Sequence, residues 1–225
     1  MQRRLILLAL FVVVATGAAP VTTGKHLYGR YCAQCHDAAN APALRGVGAL
    51  AADFYLTTGY MPLPHLGVQP RRGRTLEAAQ IRALVAYVAS LGTGPSIPNP
   101  HPERGNLARG MQLFTDHCSG CHQVLAEGGY VTGAVPPPLG ADTPTQIAEA
   151  VRIGPNVMPK FTARAISSAQ LDSIIRYVLY ARHPDDRGGW GIGHIGPVPE
   201  GLVTWFIAVA VLIGVCLGVG RRLRA

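Results

Sequence analysis

The sequence predicts an all-α chain: two tandem helical units followed by one C-terminal membrane helix. Three observations predict it. Residues 201–220 run for 20 positions without a charge, residues 24–36 recur at 110–122, and each copy closes on an apolar pattern of helical period.

The average composition, 48% hydrophobic and 14% charged over 225 residues, hides three regions. At the N-terminus, residues 5–19 are uncharged and follow Arg3 and Arg4. A basic start, a short apolar stretch and then Gly17, Ala18 and Ala19 describe a secretory signal peptide over residues 1–20. An uncleaved N-terminal anchor is the alternative, although a span usually takes 17 or more apolar residues. Either way the middle of the chain is expected to be exported.

The C-terminal run 201–220 makes a helix about 30 Å long, the thickness of a bilayer's hydrocarbon core. Trp205 stands near its outer end, and Arg221, Arg222 and Arg224 follow at once. By the positive-inside rule the basic tail 221–225 belongs in the cytoplasm and the preceding domains outside. The localisation expected is the cell membrane, single-pass.

The net charge of +8 comes from 20 basic and 12 acidic residues. Five of the basic ones flank the apolar runs, so the exported part is only mildly basic. No basic stripe with interleaved aromatics exists, so nucleic acid is not an expected partner. Arg71, Arg72 and Arg74 form one internal cluster. It reads first as a solvated loop, and second as a docking patch for an acidic electron partner.

The middle is a duplication. Gly24, Leu27 and Tyr28 precede Cys32-Ala-Gln-Cys35-His36, and Gly110, Leu113 and Phe114 precede Cys118-Ser-Gly-Cys121-His122, at a constant offset of 86 residues. Pro42 and Leu44 are then echoed by Pro137 and Leu139, and Met61-Pro62 by Met158-Pro159. Each copy ends on apolar residues spaced for one helix face: Ile81, Leu84, Val85 and Val88, then Leu171, Ile174, Ile175 and Val178. Ser167 with Gln170 has the form of a capping box. Proline- and glycine-rich segments separate the parts. The domains read from this are 21–93 and 106–183, with a linker at 94–105 and a juxtamembrane linker at 184–200.

A Cys-x-x-Cys-His motif is read as a covalent c-type haem attachment site. Both sulfurs bond the porphyrin and the histidine reaches the iron. Four exported cysteines would also make two disulfides, but a histidine directly after each pair, twice, would then be coincidence. Structural zinc is poorly served by pairs more than 80 residues apart. A thioredoxin-like pair needs a βαβ context that these flanks lack. The reading is two haems c, held by Cys32, Cys35, Cys118 and Cys121, with His36 and His122 on the iron. There is no catalytic residue to name.

Met61 and Met158 are the remaining axial ligands expected, since each follows its motif, precedes its closing helix and is followed by proline. A gap-filling role is the plain alternative, and His65 or His117 would replace them in a bis-histidine site. Met/His ligation raises the potential and leaves no open coordination position, which favours electron transfer over catalysis. The carbonyls of Pro42 and Pro137 are candidate acceptors for the second imidazole N–H. Cys216 reads as a small apolar residue of the membrane helix.

The two units resemble class I cytochrome c domains, with Gly24, Tyr28, Gly110 and Phe114 at that family's helix-crossing positions and Tyr87 and Tyr177 opposite. The full order resembles the dihaem cytochrome c subunit of the actinobacterial-type cytochrome bc complex, the menaquinol–cytochrome c reductase. Tyr60-Met61-Pro62-Leu63, Gly154 to Phe161, and the stretch from Gly188 to Gly201 carry the likeness; His194 stands where that family suggests glycine. The resemblance implies a relay from the Rieske iron–sulfur subunit, through two haems, to a terminal haem-copper oxidase, beside a cytochrome b subunit. The oxidoreductase activity would be the complex's, and the chain an electron carrier. A dihaem subunit of a haem-copper oxidase or of a membrane-bound dehydrogenase is the rival reading. A dihaem peroxidase is a third, opposed by the two Met-Pro pairs.

Overall fold

The computed structural model describes residues 18–38, 40–65, 73, 76–184 and 197–223. Most of the N-terminal apolar run, the Arg71, Arg72 and Arg74 cluster, the glycine-rich stretch around His194, and Arg224 lie outside the described residues. Among the described residues the chain is helical and has no strand, only an isolated bridge between Val131 and Ala134. In chain order the helices are α1 (Ala18–Tyr31), α2 (Ala33–His36), α3 (Gly48–Thr57), α4 (Ala78–Ser90), α5 (Leu107–His117), α6 (Ser119–His122), α7 (Pro144–Ile153), α8 (Ser168–Ala181) and α9 (Pro197–Arg222).

Contacts gather the chain into two compact units. One holds the residues up to His101 together with Asp142–Ser168, and the other holds Pro102–Ala141 with the residues from Ala169 onward. Asp142–Ser168 therefore packs with α1 to α4, a grouping that chain order does not give. Its link is α7, which packs on α3.

In the first unit α1 crosses α4 at Gly24. A Cβ there would run into the carbonyl of Ala83 and the Cβ of Tyr87, so only glycine permits the approach. One turn on, the rings of Tyr28 and Tyr87 meet at 5.2 Å and 52°. Tyr28, Leu56, Leu76, Ile81, Leu84, Val85 and Val88 form the buried core beneath. Truncating a fully buried leucine such as Leu84 to alanine costs about 2–5 kcal/mol in a core of this kind.

The second unit repeats the device between α5 and α8. A Cβ at Gly110 would meet the carbonyl of Ser173 and the Cβ of Tyr177. The rings of Phe114 and Tyr177 then pack at 5.4 Å and 52°. Leu113, Phe114, Leu171, Ile174, Ile175 and Val178 are buried around them. The helix-crossing roles expected of both glycines and all four aromatics hold.

Helix starts follow local chemistry. Asn106 caps α5 by accepting from the Arg109 N–H at 2.9 Å. Thr143 and Gln146 make a reciprocal capping box on α7, at 2.9 and 3.2 Å, with Pro144 at the first helical position. Since α8 begins at Ser168, Ser167 stands at its N-cap position. In α9 the helix begins before the uncharged run, at Pro197, a residue pre-set for a first helical position. Gly201–Arg222 has a mean hydropathy of 2.7 and none of it is buried inside the chain. A helix apolar on every face and covered by nothing else is built for lipid. Among the described residues it is the one candidate membrane anchor.

Candidate haem centres

Each Cys-x-x-Cys-His motif begins where the preceding helix ends. The Cys32 N–H still bonds the Tyr28 carbonyl at 2.8 Å, and Cys32 O then accepts from Cys35 at 3.1 Å and His36 at 3.0 Å. At the second motif Cys118 bonds Phe114 at 2.8 Å, and Cys118 O accepts from Cys121 at 3.1 Å and His122 at 2.9 Å. One helical turn puts residues i, i+3 and i+4 on one face. Both motifs so present two sulfurs and an imidazole on the same side.

The imidazoles are oriented. His36 Nδ1 lies 2.8 Å from the Pro42 carbonyl, and His122 Nδ1 lies 3.1 Å from the Pro137 carbonyl. A carbonyl only accepts, so Nδ1 carries the hydrogen in both rings. Nε2 then carries the lone pair, the tautomer that ligates a metal. The acceptors are the two carbonyls singled out from the sequence. At the second site Gly128 makes this possible: its φ is +79°, and a Cβ would strike the Pro136–Pro138 backbone. The sites differ in cover, since His36 is half-exposed and His122 is buried.

None of the four motif cysteines is paired in a disulfide. Burial first, then Cys35 and Asp37, pushes the Cys32 thiol up to about 11. Burial and then Cys121 push Cys118 up to about 12. Both keep their protons at neutral pH, whereas metal binding and rapid disulfide exchange use the thiolate. Among the described residues no group of three or more His, Cys, Asp or Glu is gathered as for a bare metal ion. The donor set, two sulfurs and an imidazole on one turn, fits haem c.

Met61 is half-buried against the core of the first unit, as is Cys32, and its N–H bonds the Tyr55 carbonyl at 2.9 Å. The structure thus brings Met61 and the first motif to one apolar cluster. Met158 is half-buried in the loop after α7, with its N–H on the Pro155 carbonyl at 3.0 Å. Its segment groups with the first unit, whereas Cys118, Cys121 and His122 belong to the second. His65 and His117, the competing ligands, are both exposed.

Comparison with known proteins decides the family. The family model for subunit III of cbb3-type cytochrome c oxidase matches residues 19–88 and 105–178, one match for each copy of the duplication. Across nearly the full length, the chain is 37% identical over 223 residues to the cytochrome bc1 complex cytochrome c subunit of Mycobacterium bovis, covering 92% of this chain and 80% of that one. The corresponding subunit of Corynebacterium diphtheriae is 32% identical over 229 residues, covering 91% and 82%. The chain belongs to the cytochrome bc1 complex cytochrome c subunit family. A cbb3-type cytochrome c oxidase subunit FixP from Sinorhizobium medicae is similar over a shorter part, 30% over 131 residues, with 51% of this chain and 43% of that one covered.

A bc1-complex cytochrome c subunit is an electron-transfer protein with haem c as its cofactor, and the two oriented imidazoles are what such a group requires. Sequence reasoning missed two features. Gly128 shapes the second histidine's acceptor, and its signal was only a Gly-Gly pair before a proline run. The other is a carboxyl pair, Asp53 and Glu149, at the packed faces of α3 and α7. Aligning 48–57 with 144–153 would have shown both carboxyls at one position.

Proposed function

We propose that this chain is the dihaem conductor of a respiratory quinol–cytochrome c reductase, relaying electrons from the Rieske iron–sulfur subunit to a terminal haem-copper oxidase. Haem c, when bound, supplies a one-electron iron couple. Cys32 and Cys35 hold one such group and Cys118 and Cys121 the other, so neither dissociates during turnover. His36 and His122 face the irons through Nε2, fixed by the Pro42 and Pro137 carbonyls. Met61 and Met158 complete the coordination and leave no position for substrate, which keeps the chain a carrier within an enzyme complex. Residues 21–93 and 106–183 are the two haem-bearing domains. They lie on the extracytoplasmic side, because Arg221 and Arg222 directly follow the uncharged run 201–220 and favour the cytoplasm. The cytochrome b subunit is the partner in the membrane.

The single observation carrying this reading is the duplicated motif turn with its Nδ1–carbonyl bond. Purification from native membranes in mild detergent tests it. Cytochrome b and the Rieske protein are expected to co-purify, followed by the oxidase. Recovery with oxidase subunits and no cytochrome b would favour the second reading, a haem-copper oxidase subunit, to which the matching family model and the FixP likeness point.

A further inference from the structure

Asp53 and Glu149 hold the same sixth position of two ten-residue helices, α3 and α7, which follow equivalent motifs in the duplicated sequence. These helices pack on one another within the first compact unit. Glu149 is completely buried, and neither carboxylate oxygen meets an N–H or O–H donor. What it faces is the carboxyl of Asp53. That contact becomes a hydrogen bond only when one of the two groups holds a proton. Asp53 is itself half-buried, and a like charge beside a fully buried carboxyl disfavours its ionisation.

We propose that Asp53 and Glu149 form a one-proton site, a carboxylic acid–carboxylate pair that clasps α3 to α7. Glu149, the more buried, is the donor and Asp53 the acceptor. Burial, with the Asp53 charge second, pushes the Glu149 carboxyl up to about 9, so the proton stays through neutral pH. Burial also raises Asp53, while the bond from Glu149 lowers it. The pair titrates as a unit.

The other charged and titratable groups on these elements are committed or outside. Arg152 on α7 donates to the carbonyls of Phe161 and Ile166. Lys160 and Arg164 after α7, and Arg82 on α4, are exposed. Tyr55 on α3 packs its ring on Phe54 and Tyr60, and Tyr87 on α4 packs on Tyr28. A metal ion is the poorer occupant, because a hard cation takes six or more oxygens and no third such ligand joins the pair among the described residues. The clasp also sits where both methionine loops are tied. Two residues beyond each carboxyl, the Tyr55 and Val151 carbonyls accept from Met61 and Phe161.

The test uses the full-length, haem-loaded protein in detergent. Infrared difference spectra of wild type against Glu149→Gln should show a protonated carboxylic acid at pH 7, lost in the variant and lost in wild type as pH rises through about 9. Because the folded-state value lies above the unfolded one, stability from this group is complete below the ordinary carboxylate range and declines as pH rises towards 9. The Glu149→Gln amide donates the same bond without titrating, so its melting temperature should fall less across that window, by roughly 3 °C or more. Asp53→Asn, as a second variant, should keep the acid band but move its titration to lower pH. No acid band at pH 7, or an unmoved titration in Asp53→Asn, would overturn the proposal. So would a melting temperature that rises with added calcium in wild type but not in Glu149→Gln.

Discussion

The two motif turns share their backbone hydrogen bonds almost distance for distance, yet the hydroxyl that braces each comes from the opposite helix. In the first unit α1 supplies it: Tyr28 donates to the carboxylate of Asp37, directly after the motif. In the second unit the equivalent of Tyr28 is Phe114, and α8 supplies the hydroxyl instead, with Tyr177 donating to the Val124 carbonyl at 2.7 Å. The ring pairs at the two crossings have nearly the same separation and tilt, so either member can carry the oxygen. Duplication has kept the task, tying the segment after the motif to the crossed helices, and moved the donor. A charged acceptor in one unit and a neutral one in the other follows from that exchange.

The largest effect that would break the equivalence is loss of a prosthetic group. Changing both cysteines of either motif to serine should halve the haem measured per chain by pyridine haemochrome assay, whichever motif is chosen. Unequal losses would mean that one copy has left the family's chemistry.

Next in size is the axial ligand. Met61→Ala and Met158→Ala should each lower one of two potentials in a redox titration while the haem stays attached, by part of the roughly 0.8 V range that axial ligands set. Two unmoved potentials would return His65 or His117 as ligands.

The smallest effects sharpen the comparison of the braces. Tyr28→Phe removes a bond to a charged group and should cost about 1.5–3 kcal/mol in chemical denaturation, whereas Tyr177→Phe removes a neutral one and should cost about 0.5–1.5 kcal/mol. Equal costs would show that Asp37 contributes no more than a carbonyl would.

Much of this was legible because it is local or periodic. A Cys-x-x-Cys-His pentapeptide is one helical turn wherever it folds, so its donor face needs no tertiary information. The crossing glycines were readable from the repeat, and a 20-residue uncharged run has one physical outcome as a helix. Even the proline carbonyls that orient the imidazoles were marked by recurrence, as Pro42 and Pro137.

What only the tertiary structure decided lies between segments far apart in the chain. The sequence by itself determined the first and closing helices of each copy, the duplicated motif turns and the anchor, since each follows from spacing within a few turns; α3 and α7 were not read from it. Folding decided that Asp142–Ser168 packs with α1 to α4, that the bracing hydroxyl changes helix, and that Asp53 meets Glu149. A single carboxylate on a helix looks solvated until its neighbour is known, because its cost depends on burial and on the charge opposite, and neither is written in local order.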